Sequence, residues 1–444
     1  MSSSSSPSDV RAIAPLQRPF DVVVRVPGSK SITNRCYVLA ALASGTSRIG
    51  APLASDDTDR LLAALVTLGV GVRREGGDVL IEGCGGRFPH GGRVDLGDGG
   101  TPTRFLIALA SLAAEPVVID GSERMRERPV DEGIDLVRRL GGRIEARVAA
   151  GVERLPVTVL PSRLRGGELV ARRTASSQFL SALLLVAPTF DAPFTLRYAE
   201  PPTSASYLDL TVASMHAFGA HVAEERDAAG ALRSHRVLPQ ALEASHVDVE
   251  PDASSAAYFA VAAAIMPAAS VKLVGIGRDS RQPDVRLFSA LESMGASVAR
   301  GPRSTVVRGP RRLRAIDVDA SLFPDAALAL AVACARADGA STIRGLRTLR
   351  VKESDRIAAL AAELERVGCT CEATDDALVV RPGAPSGEAV VIETYRDHRM
   401  AMSFATLGLV HPGLSVRDPA CVAKSYPGFW QDFAKLHDAA GFGR

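Results

Sequence analysis

The segment Pro27-Gly28-Ser29-Lys30-Ser31-Ile32-Thr33-Asn34-Arg35 places a lysine, hydroxyls and an arginine around one loop and the helical turn after it. Ser31 and Arg35 are four apart, so on a helix they share one side. This is not a nucleotide-binding Walker loop, because no glycine directly precedes Lys30. Residues 97–104, Gly-Asp-Gly-Gly-Thr-Pro-Thr-Arg, form a glycine-rich turn where a ligand can reach backbone N–H groups, with Gly100 at its apex. Arg124, Arg126 and Arg128 follow on a further loop, and each could grip a phosphate or carboxylate bidentately. Ser176-Ser177-Gln178 offers hydroxyl and amide donors suited to a sugar-like ring or its phosphate. Farther along stand Pro324-Asp325, Lys352-Glu353-Ser354-Asp355-Arg356, Asp397-His398-Arg399 and Lys424. Taken singly, each cluster also reads as a helix cap or a solvated charge run. Taken together, about eight cations and two carboxylates, Asp325 and Glu353, describe a site for two multiply anionic reactants with carboxylate acid–base chemistry. The pattern contains no metal-ligand cluster and no cysteine nucleophile motif.

The elements that must hold these clusters repeat. An amphipathic helix closed by glycine and followed by a short strand recurs with Gly69, Gly141, Gly219, Gly295 and Gly368, at a spacing of roughly 75 residues. Between these lie helices that are nearly all Ala, Leu and Val, opening near Ser31, Thr101, Ser177, Ser254, Asp325 and Asp397. A helix apolar on every side must be buried. With strands expected around them, this makes six βα-type units, which divide into two domains of three with a seam near residues 245–247. Helix N-termini carry free N–H groups and partial positive charge. If the openings of the buried helices converge on an inter-domain cleft, that cleft binds anions.

The bulk properties narrow the class. A chain of 444 residues, 46% hydrophobic and 23% charged, has the composition of a globular protein with ample core. Fifty-two Lys and Arg against 50 Asp and Glu leave a net charge of +2, so no global field advertises a nucleic-acid or membrane partner. No run approaches the roughly 18 apolar residues of a membrane helix. Cys36, Cys84, Cys334, Cys369, Cys371 and Cys421 show no C-x-x-C pairing and read as reduced packing residues, which with the absence of a signal or transit peptide makes the cytoplasm the expected location. Residues 1–9 read as a loose serine-rich tail.

At this point the sequence resembles the enolpyruvylshikimate-phosphate synthases of the shikimate pathway to aromatic amino acids. The likeness runs from about Pro15 to Phe433, and its most specific elements are residues 27–35, 176–179, 351–356, 397–400 and 423–424. It implies an α/β fold, a two-domain inside-out α/β barrel in which each domain has three repeated units with buried helices. It also implies a split into residues 1–27 with 248–444, expected on the phosphoenolpyruvate side, and 28–247, on the shikimate 3-phosphate side. By the same resemblance, shikimate 3-phosphate would meet Lys30, Ser31, Arg35, Ser176, Ser177, Gln178, Ser204, Tyr207, Asp325 and Lys352. Phosphoenolpyruvate would meet Lys30, Gly100, Arg128, Gln178, Arg356, Arg399 and Lys424. Asp325 is the implied base and Glu353 the implied acid, with Lys30 and Lys424 assisting, no cofactor, no metal, and a monomer as the working unit. Glyphosate is the family's phosphoenolpyruvate-site inhibitor. Two departures stand out: Asp98 and Thr348 occupy positions where the family usually has Asn, and Asp98 would repel a phosphate unless it is protonated, turned away or paired. Two other readings compete. The sister reaction on UDP-N-acetylglucosamine uses a cysteine-bearing loop, and residues 121–128 contain no cysteine. A non-catalytic anion-binding scaffold would have lost Asp325, Glu353 or Lys424, and all three are present.

Overall fold

The computed structural model describes residues 9–384 and 387–441, so all but the last residue of the serine-rich start lies outside it. The chain forms two compact units, Met1–Pro27 with Pro251–Arg444, and Gly28–Glu250. Each has its own hydrophobic core. The second boundary falls beyond the expected seam at Val247 because strand His246–Asp248 pairs in parallel with Ser44–Gly50 and belongs to that unit's sheet.

Five four-stranded sheets share one pattern among the described residues: a parallel edge pair followed by two antiparallel steps. Gly92–Asp95, Val117–Asp120, Val152–Leu160 and Arg143–Ala149 give one example in sheet order. Asp21–Val24, Ser270–Val274, Ser304–Arg308 and Ser297–Arg300 give another. A sixth sheet has three strands, Val390–Ile392 parallel to Leu414–Arg417, which pairs antiparallel with Val10–Ala12. Each repeat is therefore larger than the expected βα unit, because the glycine after each amphipathic helix leads into an antiparallel pair rather than one strand. The five glycines all have left-handed backbones, with φ from +78° to +101°, which a side chain would strain. Phe429–Ala439 is a sixth amphipathic helix, and Gly441 closes it at φ +79° one repeat beyond Gly368.

The apolar helices are buried as their composition requires. Every residue of Ala253–Ile265, Ala327–Cys334 and His398–Gly408 is buried. In the other unit Lys30–Leu42, Gly100–Leu109 and Ser177–Val186 pack against one another. Asp325 lies in a 3₁₀ turn, Pro324–Ala326, just ahead of its helix rather than within it.

Candidate active site

The sequence clusters assemble into two groups of side chains, one in each unit. In Gly28–Glu250, Lys30 begins its helix and its Nζ lies 3.1 Å from Asp57 Oδ2. Asp57 is buried in the first turn of helix Asp56–Thr67. Arg35 is also buried and makes four hydrogen bonds inside the protein, to Thr211 Oγ1 at 2.8 Å, Ser31 O at 2.9 Å, Tyr207 O at 3.2 Å and Ser181 Oγ at 3.4 Å. Burial, opposed by Tyr207, lowers its pKa to about 10. Arg35 thus braces the helices that carry Ser31, Ser181 and Tyr207.

Gln178 has a fixed amide orientation. Arg104 Nη1 donates to its Oε1 at 2.7 Å, and its Nε2 donates to Thr101 Oγ1 at 2.8 Å. Ser176 caps its helix by accepting from Gln178 N at 3.3 Å, with Ser177 buried beside it. Ser204 has φ +48° and accepts from Tyr207 N at 3.0 Å. Thr203 ties that loop to the Ser176 segment through Thr174 O at 2.5 Å. Arg128 is buried against Gly100 so closely that a Cβ there would lie 2.6 Å from Nη2, and its Nη1 donates to Asp98 O at 3.2 Å. Asp98 is paired rather than bare: its Oδ1 accepts from the Ser122 hydroxyl, whose oxygen also caps helix Glu123–Glu127 by accepting from Met125 N at 3.1 Å. The Asp98 side chain is therefore tied to the loop that opens helix Glu123–Glu127.

The second group lies in the unit containing Pro251–Arg444 and is built from charges. Asp325 Oδ2 meets Arg399 Nη2 at 2.9 Å, and its Oδ1 meets Arg356 Nη1 at 3.4 Å and Lys352 Nζ at 3.5 Å. Glu353 meets Arg356 Nη2 at 2.9 Å and Lys424 Nζ at 3.1 Å. Beneath them Asp397, wholly buried, accepts from Arg356 Nε at 2.7 Å and Nη2 at 3.1 Å, from Ser354 Oγ at 3.1 Å and from Arg399 N at 2.9 Å. Burial works against the Arg356 charge, but Asp397, then Glu353 and Asp325, outweigh it and raise the guanidinium above its ordinary value. Arg399, at the opening of the His398–Gly408 helix, thus finds its counter-ion within the protein. Asp325 and Glu353 keep 15% and 11% side-chain exposure, while Asp397 keeps none.

Behind this network Arg399 Nη1 donates to Tyr258 Oη at 3.4 Å, and Ser254, four residues earlier on that helix, donates to Asp284. Burial, reinforced by the charge of Asp325, raises the pKa of Asp284 to about 6. Thr348 is buried in the 3₁₀ turn Arg347–Val351.

The predicted site residues divide as follows: Lys30, Ser31, Arg35, Gly100, Arg128, Ser176, Ser177, Gln178, Ser204 and Tyr207 in one unit, and Asp325, Lys352, Glu353, Arg356, Arg399 and Lys424 in the other. The expectation of one substrate per domain does not match this division, because each substrate's expected residues come from both units. Sequence reasoning missed Asp57, Tyr258 and Asp284 as supports. Arg104 and Asp397 stood in the motifs without a task, and only a partner in space supplies one. Among the described residues, no group of His, Cys, Asp and Glu could hold a metal ion.

Comparison with known proteins gives a consistent result. A family model described as EPSP synthase (3-phosphoshikimate 1-carboxyvinyltransferase) matches residues 16–433. The chain is 42% identical over 417 residues to a protein of Thiobacillus denitrificans named 3-phosphoshikimate 1-carboxyvinyltransferase, covering 93% of this chain and 96% of that one. It is 40% identical over 418 residues to a protein of the same name from Nitrosomonas europaea, covering 93% and 95%. Its structure is similar to that of an EPSP synthase from Acinetobacter baumannii, with a TM-score of 0.78 and 27% identity over 96% of this chain and 98% of that one.

Proposed function

This chain belongs to the EPSP synthase family, and from that premise we propose how its two groups of side chains share the reaction. The activity is transfer of the enolpyruvyl group of phosphoenolpyruvate to the 5-hydroxyl of shikimate 3-phosphate with release of phosphate, a step in aromatic amino acid biosynthesis.

In the addition step the 5-hydroxyl oxygen bonds to the central carbon of phosphoenolpyruvate while the methylene carbon takes a proton. In the elimination step that carbon returns its proton to a carboxylate, the electrons of the C–H bond re-form the double bond, and the C–O bond to phosphate breaks with its electron pair leaving on phosphate. Asp325 takes the hydroxyl proton and Glu353 delivers one to the methylene. Ser176, Ser177, Gln178, Ser204 and Tyr207 hold shikimate 3-phosphate, and Lys30, Ser31, Arg35 and Lys352 serve its charged and hydroxyl groups. Arg128 beside Gly100, with Gln178, Arg356, Arg399, Lys424 and Lys30, receives the carboxylate and phosphate of phosphoenolpyruvate.

One observation carries this assignment. Asp325 and Glu353 share Arg356, and each also holds a cation assigned to phosphoenolpyruvate, Arg399 at 2.9 Å and Lys424 at 3.1 Å. The substrate's anions compete for those cations, and a carboxylate that gives one up gains freedom to move a proton. Binding and acid–base activation are thereby coupled.

Phosphate release tests the reading: steady release with both substrates and none when either is omitted. Release with UDP-N-acetylglucosamine in place of shikimate 3-phosphate overturns it. Glu353→Gln should cut kcat by about 10²-fold or more while KM changes far less, and an unchanged kcat removes Glu353 from the chemistry. No helix among the described residues is long and apolar enough to cross a membrane. We take the working unit to be a cytoplasmic monomer, since a single chain carries every residue assigned above. Gel filtration with light scattering checks the monomer.

A further inference from the structure

The helix Arg356–Arg366 grips the segment leading into Arg399 at two points. Arg356 holds Asp397 through its Nε at 2.7 Å and Nη2 at 3.1 Å. Seven residues later, on the same helix face, Glu363 is wholly buried and accepts from Glu393 N at 3.1 Å and Tyr395 Oη at 2.9 Å. Arg366 Nε lies 3.6 Å from the same carboxylate. Between the two grips the chain makes a tight turn, closed by Asp397 N donating to Thr394 O at 2.8 Å. Both central residues of that turn, Tyr395 and Arg396, have left-handed backbones, at φ +54° and +56°. Turns with positive φ at both central positions favour Gly, Asn and Asp, and here they carry two large side chains. Such a conformation persists only where its surroundings over-determine it, and strain of this kind gathers at working sites. Arg399 follows directly, its backbone N–H held by Asp397 at 2.9 Å.

We propose that Glu363 is a positioning residue for phosphoenolpyruvate: its buried carboxylate holds the strained 394–397 turn closed, and the turn aims Arg399. Without Glu363 the turn relaxes toward negative φ and Arg399 shifts off the substrate anion, although Glu363 itself never touches substrate. The proposal rests on the assignment of Arg399 to phosphoenolpyruvate.

The test uses steady-state kinetics with the second substrate saturating, together with thermal unfolding. Tyr395→Phe removes one hydroxyl from a residue 45% exposed, so folding should be retained. Loss of a hydrogen bond to a buried charged group should raise KM for phosphoenolpyruvate about tenfold. KM for shikimate 3-phosphate should stay within about twofold. Glu363→Gln should act in the same direction and more strongly. Arg396→Gly, placed in the Glu363→Gln background, should recover part of the loss because glycine accepts positive φ without strain. A drop in melting temperature with both KM values unchanged overturns the proposal. Arg399→Lys separates it from the assignment it rests on. If Arg399→Lys raises KM for phosphoenolpyruvate and Tyr395→Phe adds little in that background, Glu363 acts through Arg399. If the two effects simply add, the proposal fails. If Arg399→Lys leaves that KM unchanged, the assignment of Arg399 falls first and takes the proposal with it.

Discussion

In the Gly28–Glu250 unit several site side chains are held by neutral partners, Ser176 by its own helix and Arg35 by hydroxyls and carbonyls, while Gln178 is held by Thr101 and by the Arg104 guanidinium. Lys30 leans on the carboxylate of Asp57. In the unit of Pro251–Arg444 every assigned cation is tied to one, Lys352, Arg356 and Arg399 to Asp325, and Lys424 to Glu353. The first arrangement fixes donors in advance. The second stores charge in ion pairs that an incoming anion can exchange.

If that contrast holds, substitutions in the two regions should fail in different kinetic parameters. The largest effect is expected for Asp325→Ala, a fall in kcat of about 10²- to 10⁴-fold with KM for shikimate 3-phosphate changed only severalfold. Steady-state kinetics decide it, and an effect confined to KM would place the charged region among recognition sites after all. Next comes Asp397→Ala, which leaves the Arg356 charge buried beside vacated space and should cost about 3–5 kcal/mol of stability by urea unfolding.

A smaller effect concerns Asp284. Burial pushes its carboxyl up to about 6, well above the ordinary aspartate range, so the folded state binds a proton more tightly than the unfolded one. Its contribution is fully present below about pH 4 and is lost as pH rises through about 6, at a cost of up to about 3 kcal/mol. Asp284→Asn should therefore raise the melting temperature at pH 8 more than at pH 4, and an equal shift at both would remove Asp284 as the titrating group. The smallest effect belongs to the neutral region. Ser176→Ala loses a helix cap, costing about 1 kcal/mol, and should raise KM for shikimate 3-phosphate while kcat holds. A fall in kcat there instead would erase the contrast from the other side.

The repeats and the buried helices were legible because composition alone demands burial: Ala253–Ile265 has no polar side on which to face water. The sixth amphipathic helix was harder to see. Its buried positions are Phe429, Phe433 and Leu436 beside Trp430, where the other copies bury mostly aliphatic side chains, and its sheet has one strand fewer among the described residues. The site's chemical types were equally plain from Lys30, Arg356 and Lys424. Asp98 was not, because nothing local in the chain reveals that its carboxylate answers the hydroxyl of Ser122, 24 residues away.

What the sequence by itself determined is periodic and local: helix faces, closing glycines, and the kinds of charge that open each buried helix. These follow from backbone geometry, which repeats every few residues and needs no distant partner. What only the tertiary structure decided is which charge answers which. Arg356 reaches Asp397 across 41 residues of chain and Arg399 reaches Asp325 across 74, while Glu363 finds Tyr395 across 32. An ion pair depends on distance in space and on how much water the fold excludes around it, and neither is defined until the chain has closed on itself.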